Sequence, residues 1–177
     1  PNLLGEFQLD NITTAIATLR NIDEVDIKEN HIKEGIKKIK LLGRLQEIKS
    51  GNLKNLINNN KLIIDGSHNP LGGKVLSKFL ETIDDNIHLV VGMMSNKNHQ
   101  EFLDNFINKV SSLTIIDIPN QPNAISGKEL KKKIKGFKKI SYKRNIKEAL
   151  ETLQLNDNDM VLITGSLYLA GEVLNLN

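Results

Sequence analysis

The chain has 177 residues, 39% of them hydrophobic and 25% charged, with a formal net charge of +3 at pH 7. That suits one globular domain, or one domain carrying a piece of another. Cysteine is absent, which excludes disulfide frameworks and thiolate metal sites and fits a reducing, cytoplasmic setting.

No apolar stretch approaches the roughly 20 residues that span a bilayer, so no membrane role is expected. The opening PNLLGEFQ has neither a basic n-region nor a signal-peptide core. Pro1 stands where an initiator methionine is usual, and the expectation is a piece of a longer chain.

In chain order, Leu9, Ile12, Ala15, Ile16 and Leu19 recur at helical spacing and predict a helix over 8–19. A second helix is predicted over 27–41 and a short strand over 44–48. Residues 50–60 are polar and hold at most a turn of helix. The chain then alternates. Strands are predicted at 61–65, 87–91, 113–117, 139–142 and 160–164, with helices at 70–83, 99–110, 126–135, 146–153 and 167–174. Pro70 suits a first helical turn, where its missing N–H costs nothing.

This alternation argues for βαβ units. Runs such as LII, LVV and VLI suit strands buried on both faces. The expected fold class is α/β and Rossmann-like: a roughly six-stranded, mostly parallel sheet with helices on both faces. Such sheets bind ligands beyond the carboxyl ends of their strands.

That edge collects the polar residues. The strand at 61–65 runs into DGSHNP, Asp65 to Pro70, just before a helix whose first N–H groups are unpaired and favour anions. Asp65 suits ribose hydroxyls or a metal-bound water. His68 suits a phosphate contact or proton relay. Asn69 offers donor and acceptor and is read as a substrate contact, although Ser67 or Asn69 could simply cap the helix. Gly92 to Asn98, GMMSNKN, follows the next strand, and Lys97 there suits a carboxylate or phosphate. Thr164 to Tyr168, TGSLY, closes the last strand, and Ser166 suits a substrate carboxylate.

The sequence contains neither GxxxxGK[ST] nor GxGxxG, and its four histidines lack zinc spacing. No metal ligand is assigned. The basic run Lys128 to Lys139 reads as a solvated helix face. Aromatics are only 4% of the chain, so no nucleic-acid partner is expected.

GRLQ at Gly43 to Gln46, DGSHNP, GMMSNKN, TGSLYLAGEV at Thr164 to Val173, and GEFQLDNITTAIA at Gly5 to Ala17 together resemble the C-terminal part of folylpolyglutamate and dihydrofolate synthases, in the Mur ligase superfamily. The resemblance covers nearly the whole chain in order. It implies an ATP-dependent ligase that activates a pteroate or folate carboxylate as an acyl phosphate, which the amino group of glutamate attacks. It implies that residues 1–43 are the helical tail of a preceding ATPase domain, and 44–177 the glutamate ligase domain. For single residues it implies Asn11 near adenine, Arg44 and Asp65 on ATP, and His68 near the reacting centre. ATP and Mg²⁺ are implied, with the phosphate loop and magnesium ligands in the N-terminal ATPase domain outside this chain, so the piece alone is expected to be inactive.

Asn96 and Asn98 stand where the family carries acidic residues, and Ser67 where alanine is usual. Two alternatives are another Mur-type amino-acid ligase, which GSLY disfavours, and a free-standing nucleotide or anion binder, which would need its own phosphate loop.

Overall fold

A computed structural model describes residues 5–177; the readings made on Pro1 and the three residues after it lie outside them. Two helices, α1 (Phe7–Arg20) and α2 (Glu29–Lys38), come first. The remainder is β1 (Gln46–Glu47), α3 (Asn52–Asn55), β2 (Lys61–Ile64), α4 (Pro70–Leu80), β3 (Ile87–Val91), α5 (His99–Asp104), β4 (Ser112–Ile116), α6 (Gly127–Lys133), β5 (Ile140–Lys143), α7 (Ile146–Thr152), β6 (Met160–Thr164) and α8 (Leu167–Leu176).

The strands form one six-stranded sheet in the order β1-β2-β6-β3-β4-β5. All neighbours are parallel except β1, which pairs antiparallel with β2. Alternation along each strand divides the core. Ile63, Leu89, Leu113 and Leu162 face one layer, closed by Leu76 of α4, Phe102 of α5 and Leu130 of α6. Leu62, Val90, Ile116 and Ile163 face the other, closed by Leu53 of α3, Leu150 of α7 and Leu169 of α8. Strands β3 and β6 are buried at every position, which is why they read as unbroken apolar runs. A side chain such as Phe102, wholly buried, contributes on the order of 3–5 kcal/mol against truncation to alanine.

The order of strands creates the crevice. β6 is inserted between β2 and β3. The chain leaves β2 and β3 toward α4 and α5 in one layer, but leaves β6 toward α8 in the other. Loops diverging from adjacent strands in this way open a cleft at their carboxyl ends.

One helix is shorter than its apolar spacing predicts. The stretch expected over 99–110 is α-helical only to Asp104. The Asn105 side-chain amide donates to the carbonyls of Glu101 and Phe102, and the following N–H groups fall back to i−3 partners. An asparagine competing locally for backbone groups ends a helix in this manner.

Helices α1 and α2 are open by comparison. In α1 only Gln8 is buried, and in α2 nothing is. Among the described residues, Leu9, Val25 and Leu42 of this region are 59%, 57% and 70% exposed. No helix of the described residues is long and apolar enough to cross a membrane.

Candidate functional site

Asp65 follows β2 directly and is only 2% exposed. Its Oδ1 accepts the Ser67 N–H at 2.7 Å, and its Oδ2 accepts the Leu45 N–H at 2.9 Å. The next residue, Gly66, donates its N–H to the Gly43 carbonyl at 2.7 Å. Gly43 in turn donates its own N–H to Gln46 Oε1 at 2.9 Å. The Gly43 to Leu45 segment is thus sewn to the end of β2 by two hydrogen bonds and closed on itself by a third. It bends sharply: Gly43 has φ 65° and Leu45 φ 42°, the latter unusual for a side chain with a Cβ. Arg44 sits at the apex, half-buried.

Arg44, Asp65, Ser67 and Asn69 line a cleft of about 380 Å³, which Gln8 and Asn11 of α1 close from the other side. The Asn11 amide donates to Gln8 Oε1 at 3.2 Å. Asn69 caps α4, its Oδ1 accepting the Gly72 N–H at 2.8 Å. Both its side-chain nitrogen and the start of α4 remain at the cleft.

The loop of Ser67, His68 and Asn69 separates this cleft from a larger one of about 620 Å³. His68, Ser95, Asn96, Lys97, Ser166 and Tyr168 are among its lining residues. His68 Nδ1 lies 2.8 Å from the Gly66 carbonyl. A carbonyl only accepts, so Nδ1 carries the proton, and in the neutral ring Nε2 is left as an acceptor. Ser166 caps α8, its Oγ accepting the Tyr168 N–H at 3.1 Å, while its own hydroxyl proton remains to donate. Among the described residues no aspartate or glutamate lines the larger cleft. Among the described residues, Lys97 and Arg44 have no carboxylate within ion-pair distance. Asn98 turns away to donate to Glu101. The larger cleft therefore carries the uncompensated charge of Lys97, which suits an anionic ligand, whereas the smaller holds Arg44 together with the Asp65 carboxylate, whose oxygens are taken up by backbone N–H groups.

The walls are braced. Gly165 N–H donates to the Ser67 carbonyl at 2.9 Å, and Thr164 Oγ1 donates to the same oxygen at 3.2 Å, joining the β2 and β6 loops. A Cβ on Gly165, at φ 103°, would meet the Gly92 carbonyl at 2.7 Å, so only glycine permits the β6 and β3 loops to approach this closely. His99 Nε2 donates to the Met94 carbonyl at 2.9 Å, and Ser95 N–H to the Asn123 carbonyl at 2.9 Å, fixing the segment that carries Lys97.

The residues singled out from sequence fall into two groups. Asn11, Arg44, Asp65 and Asn69 share the smaller cleft; His68, Lys97 and Ser166 share the larger. Asn69 thus sits with the residues read as nucleotide-facing, not with Lys97 and Ser166. Sequence reasoning missed Gln46, His99, Asn123 and Tyr168. Gln46 and Tyr168 carried a signal, as the last letters of GRLQ and TGSLY. Among the described residues no group of three or more His, Asp or Glu is placed to hold a metal ion.

The sequence profile of the dihydrofolate synthetase C-terminal domain matches residues 49–176. A folylpolyglutamate synthase of Lacticaseibacillus casei is 27% identical over 97% of this chain and 38% of its own length. The crystal structure of folylpolyglutamate synthase from Thermotoga maritima superposes with a TM-score of 0.74 at 27% identity, covering 98% of this chain and 39% of that one. The Mycobacterium tuberculosis folylpolyglutamate synthase, crystallised with ADP and AMPPCP, has the same fold with a TM-score of 0.83 at 20% identity, over 98% of this chain and 40% of that one. The chain thus spans about two fifths of the length of these relatives. With a profile match across most of its length and the six-stranded, mostly parallel sheet in common, the chain belongs to the dihydrofolate synthetase C-terminal domain family.

Proposed function

We propose that this chain is the C-terminal part of an ATP-dependent ligase that joins glutamate to dihydropteroate, folate or both. In that reaction a carboxylate oxygen of the pterin substrate attacks the γ-phosphorus of ATP. The bond to ADP breaks and an acyl phosphate forms. The glutamate nitrogen then attacks the acyl carbon, phosphate leaves, and the nitrogen gives up a proton.

The smaller cleft is assigned to the nucleotide. Arg44 offers a planar, permanently charged fork for phosphate oxygens, and Asn11 offers donor and acceptor to the adenine ring. Asp65 acts chiefly through the backbone, holding the loop that presents Arg44. Asn69 organises the start of α4, whose positive dipole end favours a nearby phosphate. The larger cleft is assigned to glutamate and the reacting carboxyl group. Lys97 pairs with a glutamate carboxylate as a point charge, and the Ser166 hydroxyl donates to another carboxylate oxygen. His68 Nε2 is oriented to take the proton released by the amine. The phosphate loop and magnesium ligands belong to the N-terminal ATPase domain of the parent protein, which is its main partner.

The single observation that carries this reading is the convergence of Asn11, Arg44, Asp65 and Asn69, from three separate segments, on one cleft beside a second that holds His68 and Lys97. The nucleotides bound by the Mycobacterium tuberculosis relative support it further. The test is ADP release by the full-length protein. It should require ATP, glutamate and a pteroate or folate acceptor together; no release with all three present would overturn the proposal. The chain by itself should turn over no ATP, because charge stabilisation at the phosphates is the dominant catalytic contribution and the loop for it is absent from this sequence. Sustained ADP release by the purified chain would contradict that.

A further inference from the structure

We infer that Gln46 is a positioning residue for Arg44: its side-chain amide closes the turn from Gly43 to Gln46 and so fixes where the guanidinium stands in the smaller cleft. The inference rests on the reading of that cleft as the nucleotide site.

No ion pair orients the Arg44 side chain. Among the described residues it has no carboxylate within ion-pair distance. Its direction is therefore set by the backbone on either side. On one side, Leu45 is pinned by its buried side chain, 2% exposed, and by its N–H to Asp65. On the other, Gly43 is held through both of its polar groups: its carbonyl by the Gly66 N–H at 2.7 Å, and its N–H by Gln46 Oε1 at 2.9 Å. Both flanking residues have positive φ, a conformation that persists where the surroundings over-determine it. Gln46 and Asp65 are the two side chains that do so. Gln46 is itself fixed, because it stands in β1 directly opposite Ile64, one residue before Asp65. Its amide therefore joins the Arg44 turn to the strand end that carries the rest of the site. Without the acceptor at Gln46, the Gly43 N–H loses its partner, and the turn is free to relax toward ordinary dihedral angles that re-aim Arg44.

The test is steady-state kinetics on the full-length protein. Gln46→Leu, which lacks an acceptor, and Gln46→Glu, which keeps one, are each made in the natural background and with Arg44→Ala. Melting temperatures are recorded in parallel. Gln46→Leu should raise the ATP KM by about tenfold, and Gln46→Glu should stay within about threefold. Residues acting through one another are not additive, so Gln46→Leu should add less than about twofold once Arg44 is alanine. Should Gln46→Leu fail to fold, Gln46→Ala replaces it with the same expectations. An unchanged KM in the acceptor-less variant, or an effect that multiplies in full on Arg44→Ala, overturns the positioning role while leaving the nucleotide cleft intact. If Arg44→Ala alone changes neither KM nor kcat, the nucleotide reading itself fails and the inference falls with it.

Discussion

Oδ2 of Asp65 accepts the backbone N–H of Leu45 at 2.9 Å, across twenty positions of sequence. Its other oxygen is committed to Ser67, so the carboxylate ties the Arg44 turn to the strand end. Removing it leaves two donors unpaired in a nearly buried place. Hydrogen bonds to a charged group contribute about 1.5–3 kcal/mol. Asp65→Ala should therefore lower the unfolding free energy of this chain by that order, and should weaken ATP use by the full-length protein roughly 10- to 150-fold, as Arg44→Ala does directly. Denaturant titration and ATP kinetics check both. An Asp65→Ala protein with full stability and unchanged ATP KM and kcat would remove Asp65 from the account.

His68 lines the larger cleft, and its Nδ1 is engaged by the Gly66 carbonyl, which leaves Nε2 as the nitrogen open to a ligand. A group acting after nucleotide binding should affect turnover more than affinity. His68→Ala should leave the ATP Kd within about threefold and lower kcat by roughly 10²-fold, the scale of a positioned acid–base group. A residue that only orders its loop would instead lower the melting temperature and leave kcat nearly intact. Kd, kcat and melting temperature on this one variant separate the two, and an unchanged kcat ends the proton-transfer role.

At the opposite edge of the sheet, Asp159 is 1% exposed. It accepts the Asn156 N–H at 2.8 Å and the Asn86 amide at 3.1 Å, and meets His88 Nε2 at 3.2 Å. Burial pushes its carboxyl up, but the Asn156 N–H, the Asn86 amide and His88 together outweigh burial and hold it below the usual carboxylate range. A depressed native pKa contributes stability above the unfolded value, about 4, which is lost as pH falls through the native value. The melting-temperature gap between the natural chain and Asp159→Asn should thus be widest at pH 6–7 and narrow steadily below about pH 4. A gap that stays constant or grows down to pH 3 would show that the charge of Asp159 is immaterial.

Much of the fold is legible in the sequence because burial on both sides writes strands as plain apolar runs: Ile87–Val91 and Met160–Thr164 end where their residues suggest. The helix after His99 was less legible, since Asn105 ends it by hydrogen bonds that apolar spacing does not register. The edge that carries both clefts was readable as three polar strand ends. That β6 slots between β2 and β3, bringing Gly165 against the Gly92 carbonyl, is a long-range pairing that no local pattern contains. The same holds for the role of Gln46, which GRLQ marks without saying that Gly43 donates to it. Asn69 and Ser166 illustrate the converse. Their capping of α4 and α8 follows from position alone, and the same position puts them at the clefts.

The account stands most directly on a division of labour between the two clefts, and steady-state kinetics of the full-length protein carrying Lys97→Ala or Arg44→Ala tests it. Loss of one charged contact is worth about 1.5–3 kcal/mol, or roughly 10- to 150-fold. Lys97→Ala should raise the glutamate KM on that scale and leave the ATP KM within about twofold. Arg44→Ala should raise the ATP KM and leave the glutamate KM within about twofold. If the two substitutions move both constants alike, or each moves the other's substrate, the assignment of nucleotide to the smaller cleft and glutamate to the larger is contradicted.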